Sequence, residues 1–178
     1  MAGERIVSTR IVYRGQVVGL RVDEVEMPSG EVTTLEVVEH RDVVVVVALD
    51  GEDNVLLVRQ YRHAVDRQLL ELPAGGMESS ESPEDCVRRE MREETGFLPH
   101  RLERLGGYFS APGFCTEYLH LYLATDLKPS PLVAEDTESI ELVRIPRERV
   151  LGLVASGEVC DAKSVAGLHM AFSPRRKS

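Results

Sequence analysis

The sequence predicts an α/β (α+β) fold in which helices flank a mixed sheet, with a small antiparallel β unit ahead of it. Three observations lead there. Segments rich in β-branched residues dominate the chain as far as Arg62. Five consecutive valines, Val43 to Val47, have the composition of a strand buried on both faces. Helix patterns appear only at mid-chain and near the end, which favours helices packed on a sheet over a bundle.

Arg5 to Tyr13 and Gln16 to Met27 alternate loosely and predict two strands joined at Arg14-Gly15; after a Pro28-Ser29-Gly30 turn, Glu31 to Glu39 resumes strand character. Such a unit is too thin to be stable unless it packs on something. Asp42 to Leu49 is the valine strand, Asp50 to Asn54 a turn, and Asn54 to Arg62 its expected hairpin partner. Leu69 to Leu72 leads into Pro73-Ala74-Gly75. Ser82 reads as an N-cap, Pro83 as the first helical residue and Asp85 as the capping-box partner, while Gly96 ends the helix. Val87 and Met91 are spaced to face the core. Strands near Leu102–Phe109, Glu117–Ala124 and Ile140–Ile145 follow, then helices over Pro146–Ala155 and Asp161–Phe172. The chain thus divides into a β unit at 1–40, a main domain at 41–173 and a basic tail at 174–178.

Composition narrows the function. Hydrophobic residues make up 43% and charged residues 29%, as in ordinary soluble domains. No apolar run is long enough to span a membrane and the start lacks a signal-peptide pattern, so a cytoplasmic protein is expected. Cys86, Cys115 and Cys160 are an odd count without metal spacing, and are expected to be reduced and mostly buried. A net charge of −9 argues against general attraction to nucleic acid or anionic membrane. Eighteen of the 21 basic residues are arginines, which leaves ample bidentate phosphate binders.

The most informative stretch runs from Gly75 to Phe97. Glu90, Glu93 and Glu94 crowd about one helical turn beside Arg89, and like charges so spaced repel by roughly 0.2–0.5 kcal/mol per pair on an exposed helix. A divalent cation would reverse that sign, and hard oxygen donors suit Mg²⁺ or Mn²⁺. Taken alone, a Glu/Arg run is also what a solvated helix face looks like. The complete spacing separates the two readings: Gly75, five residues, Glu81, seven residues, Arg89-Glu90-Met91, one residue, Glu93-Glu94, one residue, Gly96-Phe97. It resembles the Nudix box at every defined position. The resemblance implies an α/β/α sandwich with a mixed sheet, and a metal-dependent hydrolase of diphosphates linked to nucleosides.

The flanks carry the resemblance further. Pro112, sixteen residues after Gly96, the segment Glu71-Leu-Pro-Ala-Gly75 and the segment Arg59-Gln-Tyr-Arg62 are similar to the ADP-ribose pyrophosphatase branch. So is the N-terminal β unit, which in that branch commonly swaps between subunits of a homodimer. Hydrolysis of ADP-ribose to AMP and ribose 5-phosphate is therefore the expectation. Another nucleoside diphosphate sugar such as GDP-mannose, a dinucleotide, or a catalytically silent nucleotide sensor are the alternatives.

By the same resemblance, Glu90 and Glu94 are the first metal ligands, with Glu93, the Ala74 carbonyl and Glu81 as further candidates for two or three ions. Arg89 orients the neighbouring glutamates. Glu138, with Asp136 and Glu135 as rivals, is the candidate general base that collects a proton from the attacking water. Arg62, or Arg59, is expected on phosphate and Glu117 on a ribose hydroxyl, with Glu71 and Pro112 completing the substrate-binding set. Tyr13 is a candidate to stack on adenine.

Overall fold

The computed structural model describes residues 3–132 and 140–173. It contains ten strands and three α-helices among the described residues. Tertiary contacts divide the chain into two units, Met1–Asp42 with Phe109–Tyr118, and Val43–Tyr108 with Leu119–Ser178.

In the first unit, β1 (Arg5–Arg14), β2 (Val18–Glu26) and β3 (Val32–His40) form an antiparallel sheet in the order β1-β2-β3. Register shifts between Ile6 and Ser8 and between Ile11 and Tyr13 mark irregularities in the edge strand, a common site for bulges. Every residue of β1 is exposed, Ile6, Val7, Ile11, Val12 and Tyr13 included. Asp23 is buried at 3% exposure and is held by Thr9 Oγ1 at 2.8 Å and Arg21 Nε at 3.0 Å. The Ala111–Cys115 turn joins this unit through Val38, whose N–H donates to the Phe114 carbonyl at 2.7 Å.

The second unit is built on β4 (Val43–Leu49), which pairs parallel with β9 (Tyr118–Pro129) over Val43 to Ala48. The seven-stranded sheet runs β10-β5-β4-β9-β8, with β5 at Asn54–Arg62, β8 at Phe97–Phe109 and β10 at Glu141–Pro146. Successive β4 side chains enter opposite cores. Val43, Val45 and Val47 pack with Leu57, Leu121, Val150 and Leu168, whereas Val44, Val46 and Ala48 pack with Leu56, Val87, Met91 and Tyr122. Val87 and Met91 come from α1 (Pro83–Thr95), Val150 from α2 (Arg147–Ser156) and Leu168 from α3 (Ala162–Phe172). Helices therefore cover both faces, giving the α/β/α sandwich, and this is why five β-branched apolar residues can follow one another without a polar partner face.

The hairpin expected between β4 and β5 forms only at its turn, where Ala48 faces Leu56 and Leu49 faces Val55. Beyond it the strands separate. A three-residue strand, β7 (Ala74–Gly76), pairs with Val43–Val45 of β4, and β6 (Arg67–Glu71) pairs with the far part of β5. This insertion brings the chain at Ala74 to the centre of the sheet. Three smaller expectations are corrected. β8 and β9 extend beyond the predicted ranges, Pro146 is the N-cap rather than the first turn of α2, and only Cys86 of the three free cysteines is buried. No helix among the described residues is long and apolar enough to cross a membrane.

Candidate active site

The ends of α1 are fixed locally. Ser82 Oγ accepts from Asp85 N at 3.1 Å and donates to the Asp85 carboxylate at 2.7 Å, and Pro83 occupies the first turn. Gly96 closes the helix at φ 78°, in the left-handed region, with its N–H turned back on Arg92. Between those caps, Val87 and Met91 bury one face, which leaves Arg89, Glu90, Glu93 and Glu94 gathered near β7.

Glu90 and Glu94 are held against the β7 backbone. Glu94 Oε2 accepts from Ala74 N at 3.0 Å. Glu90, 9% exposed, lies so close to Gly75 that a Cβ there would stand 1.8 Å from its carboxyl carbon. Only glycine permits that approach. Arg89 supplies the compensating charge. Its Nε donates to Glu81 Oε1 at 2.9 Å, Nη1 to Glu90 Oε1 at 2.7 Å and Glu93 Oε2 at 3.1 Å, and Nη2 to Glu81 Oε2 at 3.0 Å and the Gly76 carbonyl at 3.1 Å. The paired Arg89 guanidinium and the Glu78 N–H pull Glu81 down to about 2 against the burial that opposes it. The same carboxylates raise Arg89 above its ordinary value.

Glu94 behaves differently. Burial, and then the negative charge of Glu90, push it up to about 8, despite the Ala74 N–H, Lys163 and Arg62 pulling the other way. The charged form of Glu94 is thus disfavoured, by burial first and by the neighbouring Glu90 second. Among the described residues no three His, Cys, Asp or Glu side chains form a ready-made metal cage. The all-oxygen Glu90–Glu94 pair nevertheless fits a hard divalent cation, which would relieve the repulsion that Glu94 registers.

Arg62 and Glu71 form a bidentate pair, Nε to Oε1 at 2.8 Å and Nη2 to Oε2 at 2.6 Å. Burial alone would raise Glu71, but Arg62 and Lys163 hold it below the ordinary carboxylate range. Arg59 pairs instead with Glu141 at 3.7 Å on the neighbouring strand. Glu117 and Pro112 belong to the first unit, where Glu117 Oε1 lies 3.5 Å from His40 Nδ1 and Pro112 is exposed in the Ala111–Cys115 turn. Tyr13 is in that unit as well, 57% exposed. Glu138, Asp136 and Glu135 lie outside the described residues. The structure therefore brings Ala74, Gly75, Glu81, Arg89, Glu90, Glu93 and Glu94 together with Arg62 and Glu71 inside the second unit. Lys163 and Asp161, which sequence reading did not single out, join Glu71 there. Their only sequence signal was the helix start at Asp161, which says nothing of where Lys163 reaches.

Residues 39–166 match the NUDIX domain, and the chain belongs to the Nudix family. It is 34% identical over 163 residues to an ADP-ribose pyrophosphatase of Bacillus subtilis, covering 90% of this chain and 88% of the relative. It is 35% identical over 165 residues to an ADP-ribose pyrophosphatase of Mycobacterium tuberculosis, covering 91% and 80%. Among solved structures, one described as an ADP compounds hydrolase shares the fold at a TM-score of 0.88 and 23% identity, over 96% of this chain and 93% of that one.

Two outcomes follow from this geometry. Gly75→Ala should displace the Glu90 carboxylate and lower kcat by about 100-fold, the scale of a 1 Å misplacement, while circular dichroism stays native; unaltered turnover would refute the contact. Because Glu71 titrates lower when folded than unfolded, its stabilisation is present above its unfolded pKa and is lost as pH falls through its folded one. Urea unfolding between pH 5 and pH 3 should show wild type losing more stability than Glu71→Gln, and equal slopes would count against the ion pair.

Proposed function

We propose that the protein is a Mg²⁺-dependent ADP-ribose pyrophosphatase, with Mn²⁺ as the alternative metal, that adds water across the diphosphate to release AMP and ribose 5-phosphate. The observation that carries this reading is the likeness, along at least 90% of the chain, to two bacterial ADP-ribose pyrophosphatases. The intact set of Glu90, Glu93 and Glu94 favours a working enzyme over a silent sensor.

In this reading Glu90, Glu94 and the Ala74 carbonyl would hold metal, with Glu93 and Glu81 supporting them through Arg89. When bound, divalent ions neutralise diphosphate oxygens and acidify an attacking water. The protein's own part is positioning. β7 fixes the two carboxylates, Arg89 sets the orientation of Glu81, Glu90 and Glu93, and Arg62 offers its unpaired edge to phosphate. Glu117 would receive a ribose hydroxyl and Pro112 shape its turn, while Arg59 is a second phosphate contact. The general base is assigned to Glu138, ahead of Asp136 and Glu135. We also assign the protein to the cytoplasm and to a homodimer. The exposed apolar residues of β1 support self-association, since an isolated soluble chain rarely leaves such an edge strand bare.

Turnover of ADP-ribose should exceed that of GDP-mannose, NADH and diadenosine polyphosphates by at least about tenfold, or roughly 1.4 kcal/mol in the transition state, and should vanish in EDTA. Glu94→Gln should cost about 100-fold in kcat, near 3 kcal/mol of lost charge stabilisation. A different preferred substrate would reject the ADP-ribose assignment, and turnover in EDTA would reject the metal. In sedimentation equilibrium the mass should be twice the 19.8 kDa of one chain; a monomer at micromolar concentration would reject the dimer.

A further inference from the structure

A second charged network, outside the box, lies in the same unit as the carboxylates. Glu71, at the end of β6, has 1% of its side chain exposed. Arg62 grips it through Nε and Nη2, and Lys163 Nζ donates to its Oε2. Lys163 also donates to Asp161 Oδ2 at 2.8 Å, the same oxygen that accepts from Ser164 N at 3.1 Å to cap α3. Ser164, fully buried, accepts in turn from Leu72 N at 2.7 Å. The start of α3 is thereby tied to residues 71 and 72, three and two residues before Ala74. Two cations and two carboxylates balance.

Arg62 is the open member of this set. Its side chain is 41% exposed, and among the described residues Nη1 has no hydrogen-bond partner. The charges of Glu94 and Asp161 both reach it, so it stands near the carboxylate centre while feeling a pull from the buried side. Lys163 satisfies that second pull. Without its ammonium, Glu71 and Asp161 would compete for one guanidinium, and Arg62 would be drawn inwards.

We propose that Lys163 is a positioning residue for the diphosphate site: by neutralising Asp161 and sharing Glu71, it keeps Arg62 held by one edge and leaves the Nη1 edge for an anionic substrate. This rests on Arg62 gripping phosphate, as proposed above. It predicts an effect mainly on substrate affinity, because the hydrogen bonds that place Glu90 and Glu94, from Arg89 and from the Ala74 N–H respectively, do not involve Lys163. It also predicts that removing the competing carboxylate cures the loss. Asp161→Asn does this while keeping a good N-cap.

The experiment compares wild type, Lys163→Met, Lys163→Met/Asp161→Asn, Arg62→Ala and Arg62→Ala/Lys163→Met in steady-state turnover of ADP-ribose. Binding of inorganic pyrophosphate in EDTA is followed in parallel by calorimetry. Lys163→Met should raise KM about tenfold with kcat within about twofold, and the Asn double variant should return KM to within about threefold of wild type. On the Arg62→Ala background the lysine change should add nothing. An unchanged KM, an undiminished effect without Arg62, or no recovery in the Asn double variant would overturn the proposal. If Lys163→Met does not fold, Lys163→Gln carries the same comparison. If wild type prefers another diphosphate, the substrate reading fails while the pyrophosphate series still decides the role of Lys163. Pyrophosphate bound no better by wild type than by Arg62→Ala would overturn the proposal.

Discussion

Glu90, Glu93 and Glu94 occupy about one turn of α1, and Glu81 reaches the same place from the loop before it; their mutual repulsion is what the surrounding structure is arranged to offset. Burying carboxylates is expensive unless they are paired and hydrogen-bonded. Arg89 meets most of that requirement, with every guanidinium nitrogen engaged by a protein acceptor. A lysine at that position could not do the same, since a single ammonium lacks the planar fork that reaches three carboxylates and a carbonyl at once. Glu94, which Arg89 does not reach, is the group whose affinity for a proton rises.

Holding these carboxylates requires rigid backbone on the other side, which explains the interruption of the β4–β5 hairpin. Were β5 to continue alongside β4, no free strand end would face α1. By ceding Val43–Val45 to β7, the sheet places Ala74 and Gly75 under the helix, one supplying an N–H to Glu94 and the other supplying space for Glu90. The valines of β4 serve both ends of this arrangement. Val44 and Val46 pack in the core under α1, and Val43, Val45 and Val47 anchor the opposite face against α2 and α3. The site is therefore built on the most deeply buried strand of the unit, as precise placement of charged groups demands.

The sandwich and the α1 site were legible in the sequence for identifiable reasons. A five-valine run has few uses outside a doubly covered strand, and the Ser82–Pro83 and Gly96 caps bound a helix whose charged spacing is unusual. What escaped was non-local. Nothing near Asn54 signals that β5 leaves β4 after two residue pairs, because the pairing is decided by a competitor, Ala74–Gly76, twenty residues later. The Gly75 requirement was visible as a motif position, but its cause, the carboxylate of Glu90, appears only in three dimensions. Lys163 was not legible because the partner that ties it to the site, Glu71, lies 92 positions away, and its nearby partner Asp161 reads only as a helix cap. The cysteines were misjudged because their burial depends on neighbours far along the chain. Only Cys86, on the inner face of α1, is packed away.

The two arginines nearest the carboxylates illustrate how saturation distinguishes structure from recognition. Arg89 has no donor left to offer, and withdrawing it for a ligand would expose three acidic groups to one another. It belongs to the frame. Arg62 is fixed along one edge by a carboxylate that is itself immobilised, and retains the other edge. A guanidinium held in this way meets an incoming phosphate with its orientation already set, so less conformational entropy is lost on binding than by a free surface arginine. The cost of this preorganisation is a buried carboxylate, Glu71, and the lysine that shares it is the reason the arrangement can stay ionised without drawing Arg62 inwards.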